Sequence, residues 1–206
     1  ERGEHRIMMH GTTIHGTQYL SGADVLRPTT YYAPEAPIGQ MFSQHDAAGR
    51  VGVVGLGTGS VACYARPDQE YVYYEIDPLV AKFAADPAYF SYLSSCTPDA
   101  PIILGDGRLT LAQEPEGGFE LLLLDAFSSD SVPAHLLTQQ AVSLYLSRLS
   151  DKGILVMHVS NKHMQLETVV ARIADTLGAH ALYQFYSGDN TADKRRSQPS
   201  QVVILA

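Results

Sequence analysis

The segment from Val51 to Asp77 constrains the fold more than any other part of this 206-residue chain. An apolar run, Val51-Gly52-Val53-Val54, leads into Gly55-Leu56-Gly57-Thr58-Gly59. A small-residue helix is expected next. A second β-like run, Tyr71-Val72-Tyr73-Tyr74, then ends in Glu75 and Asp77. Strand, glycine turn, helix, strand, acid is the outline of a nucleoside-binding βαβ unit. Its glycines let a ligand approach the backbone, and an acid about 20 residues further on can take the two ribose hydroxyls.

From Arg50 onward the chain alternates between β-like and helical patterns. Strands are expected at 51–55, 71–76, 101–105, 119–125, 153–159, 181–186 and 201–205, and helices at 58–65, 78–85, 133–149 and 163–177. Leu121-Leu122-Leu123-Leu124 is apolar without alternation, as a central parallel strand covered on both faces requires. Pro133 suits a helix start, and Gly178 a left-handed helix end. The fold class expected is α/β, a doubly wound Rossmann-like sheet. Ahead of it, residues 6–20 alternate loosely around Gly11 and Gly16, which predicts short strands or a β-hairpin. Residues 21–49, rich in Pro, Gly, Ala and Ser, read as loop with Tyr31 and Tyr32 exposed. The division expected is therefore 1–49, a short N-terminal β/loop segment, and 50–206, a nucleoside-binding catalytic domain.

Charge and composition exclude several classes. A net charge of −8 argues against a nucleic-acid surface, and the one basic cluster, Lys194-Arg195-Arg196, reads as a solvated loop. No apolar run approaches the roughly 18 residues of a membrane helix. The chain opens on Glu1 rather than Met, so a longer parent protein is expected. Cys63 and Cys96 have no metal-like spacing and are expected as buried thiols in a reducing compartment. The histidines show no metal-ligand spacing either, so no metal is expected and each histidine reads as structural or exposed.

Ligands of open α/β sheets sit at the carboxyl ends of the strands. Four such ends here carry chemistry: the glycine turn with Gly55, Gly57 and Gly59; Glu75-Ile76-Asp77; Gly105-Asp106-Gly107; and Asp125-Ala126-Phe127-Ser128-Ser129-Asp130. Asp77 precedes Pro78 and is expected to cap a helix. Asp106, with Gly107, is expected at an adenine. Asp125 ends a very apolar strand, where a carboxylate is expensive to desolvate unless it has partners or a task. Asp130 either caps the next helix or lines the pocket.

The order VVGLGTGS, YYEIDP, LGDGR, LLLLDAFSSDSVPAHLL resembles the spermidine synthase family of aminopropyltransferases, which share the class I S-adenosylmethionine-dependent methyltransferase fold. HGTTIHGTQ, PTTYYAPEAPIG, DAFSSD and HVSN are similar to the branch fused to membrane transporter-like segments. The likeness runs from about Arg6 to Ala206. It implies that Gly55, Gly57 and Gly59 shape the nucleoside pocket, that Glu75 holds the ribose, and that Asp106 and Gly107 meet the adenine. It implies Asp125 as the catalytic acid, Asp130 and Tyr31 beside the amine substrate, and Gln18 near the cofactor tail. The co-substrate implied is decarboxylated S-adenosylmethionine or S-adenosylmethionine, with a small polyamine-like amine as acceptor. A homodimer, a cytoplasmic location and a membrane tether in the full-length protein are further expectations. The alternatives are a methyltransferase and a non-catalytic nucleoside-binding domain. The chain departs from the family pattern at Thr58, where an Asp is usual, at Tyr31-Tyr32-Ala33, and between Asp125 and Ser131. All three departures fall around the tail and the amine.

Overall fold

A computed structural model describes residues 4–10, 13–126, 133–161, 163–188 and 197–206. Among these, β1 (His5–His10) and β2 (Thr13–Tyr19) pair antiparallel as the expected hairpin. The remaining strands form one seven-stranded sheet: β3 (Gly49–Val54), β4 (Gln69–Glu75), β5 (Ile102–Leu104), β6 (Phe119–Leu124), β7 (Leu149–His158), β8 (Ala181–Tyr186) and β9 (Ser200–Leu205). The strand order is β5-β4-β3-β6-β7-β9-β8. The first five strands are parallel, and β9 lies antiparallel between β7 and β8. This is the doubly wound Rossmann-like sheet, and its strand order reverses between β3 and β6.

The leucine run of β6 shows why the centre of the sheet is apolar throughout. Leu121 and Leu123 pack with Val51 and Val53 on one face. Leu122 and Leu124 pack with Val54 and Met157 on the other. Each face is covered by helical segments, so a polar residue at any of the four would be stranded.

Several elements differ from the sequence reading. The expected helix 58–65 is a 3-10 turn, Ser60–Tyr64, and the expected helix 133–149 is two pieces. The Thr138 hydroxyl accepts from Ala141 N–H and starts α5 (Gln139–Arg148) afresh, behind a 3-10 turn at Ala134–Leu137. The loop expected over 21–49 contains α1 (Pro37–Gln44), which Pro37 opens and which sends Ile38 and Phe42 into the core. Three helices match or follow caps: α2 (Pro78–Ala85) on Asp77, α4 (Gly107–Leu111) on Asp106, and α6 (Leu166–Leu177), closed by Gly178 at φ 72°. The short α3 (Tyr92–Cys96) was not expected.

The two cysteines are not free thiols. Cys63 and Cys96 form a disulfide across 33 residues, with Cα atoms 5.0 Å apart. The cause is topological: α3 packs on the 3-10 turn after the glycines, a contact that spacing alone does not reveal. The reading of a reducing compartment loses its basis. Among the described residues, no helix is long and apolar enough to cross a membrane.

Candidate functional site

A cavity opens at the carboxyl ends of β3, β4, β5 and β6, where the strand order reverses. One wall is the glycine turn. Gly55 has φ 91°, and a Cβ there would press into the Asp125 carbonyl of the neighbouring strand. At Gly57, φ 53°, it would meet the His15 carbonyl of β2. The turn is therefore threaded between two backbones that a side chain would push apart.

Glu75 closes the next wall. Its Oε2 accepts from Leu56 N–H at 2.9 Å and its Oε1 from Asp77 N–H at 2.9 Å. The carboxylate is 7% exposed and faces the cavity. Each oxygen keeps a further acceptor site, which suits a diol. Asp77 turns elsewhere and caps α2 by accepting from Leu79 N–H at 2.8 Å.

Asp106 and Gly107 line the far end. Asp106 Oδ1 caps α4 through Leu109 N–H at 3.1 Å, and Oδ2 lies 2.7 Å from His135 Nε2. Partial burial pushes this carboxyl up, but the His135 ring and the Leu109 N–H pull it down, and it ends below the usual carboxylate range.

The opposite end is built around Asp125, just past β6. The Tyr32 hydroxyl donates to its Oδ2, and His158 Nδ1 lies 2.5 Å from its Oδ1. His158 Nε2 in turn lies 2.7 Å from Ser160 Oγ. Both side chains of the Asp125–His158 pair are nearly enclosed, at 5% and 6% exposed. The Tyr31 ring stacks on His158 with centroids 4.6 Å apart and tilts against Tyr32 at 4.4 Å. Burial, then the Asp125 charge, pushes both phenols far above their ordinary range, so both stay neutral.

The structure brings Gly55, Gly57, Glu75, Asp106, Gly107, Asp125 and Tyr31 to one cavity. Gly59 turns at φ 79° against Leu93 of α3. Gln18 is placed differently: its amide donates to Val25 O and Ser91 Oγ and accepts from Ser91 N–H, tying β2 to α3. Asp130 lies outside the described residues, as does Lys194-Arg195-Arg196. Thr58 is fully buried beneath Gly16 of β2, and its Oγ1 has no hydrogen-bond partner among the described residues.

Three contacts went unforeseen. Tyr32 meets Asp125. His158 and His135, both read as structural or exposed, meet Asp125 and Asp106. The signal was available for His158, which ends a strand beside Asp125 as the first residue of the HVSN phrase.

No protein-family model matches the chain. It is 31% identical over 112 residues to a polyamine aminopropyltransferase of Vibrio vulnificus (strain CMCP6), a match covering 52% of this chain and 36% of that protein. The chain thus spans just over a third of the length of that curated relative. The crystal structure of spermidine synthase from Thermotoga maritima superposes with TM-score 0.63 at 14% identity, covering 97% of this chain and 72% of that one. A precorrin-6y C5,15-methyltransferase from Geobacter metallireducens GS-15 superposes with TM-score 0.60 at 12% identity, covering 81% and 84%. At these identities the two structural likenesses are likenesses of fold. They match the class I methyltransferase architecture that the motifs implied.

Proposed function

We propose that this domain transfers an aminopropyl group from decarboxylated S-adenosylmethionine to a small amine. The observation that carries the proposal is the position of Asp125: an enclosed carboxylate in the same cavity as the glycine turn, Glu75 and Asp106. The sequence similarity to a polyamine aminopropyltransferase supports it. In this reading Glu75 takes the ribose hydroxyls, and Asp106 and Gly107 meet the base. Gly55 and Gly57 let the sulfonium nucleoside lie against the backbone. Asp130 and Tyr31 remain proposed neighbours of the amine.

The reaction is an in-line displacement. The amine nitrogen attacks the carbon beside the sulfonium, the C–N bond forms as the C–S bond breaks, and methylthioadenosine leaves. The nitrogen gives up one proton, and Asp125 accepts it; positioned proton transfer is worth roughly 10²–10⁴-fold. Holding the two reactants in line supplies much of the remainder. The acid also attracts the ammonium form of the acceptor. The Cys63–Cys96 disulfide supports an oxidising surrounding for the domain rather than the reducing one expected from free thiols.

Calorimetric titration with decarboxylated and intact S-adenosylmethionine, followed by product analysis over an amine panel, tests the proposal. Tighter binding of the decarboxylated donor and amine-dependent release of methylthioadenosine are expected. Methyl transfer, or a preference for the intact donor, would overturn it in favour of a methyltransferase. Methylthioadenosine binding without turnover of any amine would leave only a nucleoside-binding domain.

A further inference from the structure

We propose that His158 is a positioning residue: locked in one tautomer by Ser160 and the Gln201 amide, it aims Asp125 at the amine. The proposal rests on the aminopropyl-transfer reading above. The donor order is read from both ends. Gln201 N–H, in β9, can only donate, and it does so to Ser160 Oγ at 2.8 Å. Among the described residues, the acceptor within reach of the Ser160 hydroxyl proton is His158 Nε2, 2.7 Å away. The Asp125 carboxylate can only accept, so Nδ1 carries the proton, 2.5 Å from Oδ1, and with Ser160 donating, Nε2 is the bare nitrogen. An imidazolium would reverse the middle link and strip the Ser160 proton of that acceptor.

The chain of donors ends on one carboxylate. His158 donates to Oδ1 and the Tyr32 hydroxyl to Oδ2, which fixes the rotation of the Asp125 carboxylate. The stacked Tyr31 ring keeps the imidazole from turning. His158 is 4% exposed and does not line the cavity, whereas Asp125 does. An amine in the cavity thus reaches only the acceptor sites that His158 and Tyr32 leave open. During transfer Asp125 takes the amine proton and becomes a neutral acid, and His158 keeps its own proton throughout.

The test uses the whole chain and three readouts. His158→Ala is expected to lower kcat about 100-fold, the usual cost of a misplaced reacting group, with methylthioadenosine affinity within about threefold. His158→Asn places an amide nitrogen where Nδ1 was and is expected to restore kcat to within about tenfold of the parent. Nitrogen-15 histidine spectra of the unsubstituted protein at neutral pH are expected to show His158 as the neutral Nδ1–H tautomer. An unchanged kcat in His158→Ala, no recovery in a folded His158→Asn, or an Nε2–H or doubly protonated ring would each overturn the proposal. If the parent protein transfers no aminopropyl group, the functional reading fails by itself, and the spectrum still decides the tautomer.

Discussion

At the end of the cavity proposed for the nucleoside, the acids are held largely by backbone. Glu75 takes N–H groups from Leu56 and Asp77, and Asp106 takes one from Leu109. At the acid end, Asp125 is held by two side chains, Tyr32 and His158, which lie 93 and 33 positions away in sequence. Backbone donors stay in place when nearby side chains change. Side-chain donors do not, so the acid end depends on three residues at once. The two ends therefore differ in how a substitution spreads, and also in how much of each is visible in a linear sequence.

The largest expected effect comes from the one glycine that joins the two ends. Gly55→Ala puts a Cβ into the Asp125 carbonyl and forces an L side chain to φ 91°. We expect a loss of about 2–4 kcal/mol of stability in urea unfolding, with nucleoside affinity and turnover both falling. A variant of parental stability would mean that the turn and β6 are not in contact as described. A smaller and one-sided effect is expected from Glu75→Gln. It replaces a carboxylate oxygen by an amide that cannot accept, so methylthioadenosine should bind about 10–100-fold more weakly. Saturating turnover should change much less. Equal losses in kcat and affinity would erase the distinction between the ends.

The smallest effect is expected away from the cavity, at Glu114. Its carboxylate accepts from Arg50 at 2.6 Å and from the Tyr74 hydroxyl at 2.6 Å. Burial pushes the carboxyl up, but the Arg50 and Tyr74 donors outweigh it, so the group sits below its ordinary value of 4.5. A depressed carboxyl contributes stability above its unfolded value, and that contribution is lost as pH falls through the folded value. The melting temperature of Glu114→Gln should lie a few degrees below the parent near pH 7 and converge on it towards about pH 3. Nucleoside affinity should be unchanged. A gap that widens on acidification would contradict the sign.

What was legible in the sequence follows the same division. The glycine turn, Glu75 and Asp106 lie on contiguous motifs whose spacing is set by one βαβ unit and one strand end. The leucine run marked β6 as the centre of the sheet because no polar residue can sit there. The contacts of Asp125 had no such local trace. Tyr31 and Tyr32 are adjacent, and which hydroxyl meets the acid depends on a 3-10 turn that only the folded chain defines. Gln18 was expected near a cofactor tail, and its amide is satisfied by Val25 and Ser91, a pairing that depends on α3. The Cys63–Cys96 bond was hidden for the same reason.

Asp125→Asn is the most direct test of the acid's role. It keeps the size of the side chain and removes the carboxylate that both Tyr32 and His158 hold. Aminopropyl transfer should fall by roughly 10²–10⁴-fold, while methylthioadenosine affinity, measured by calorimetry on the same preparation, should stay within about threefold. Full turnover in this variant would contradict the assignment of Asp125, and so would a loss of nucleoside binding as large as the loss of rate.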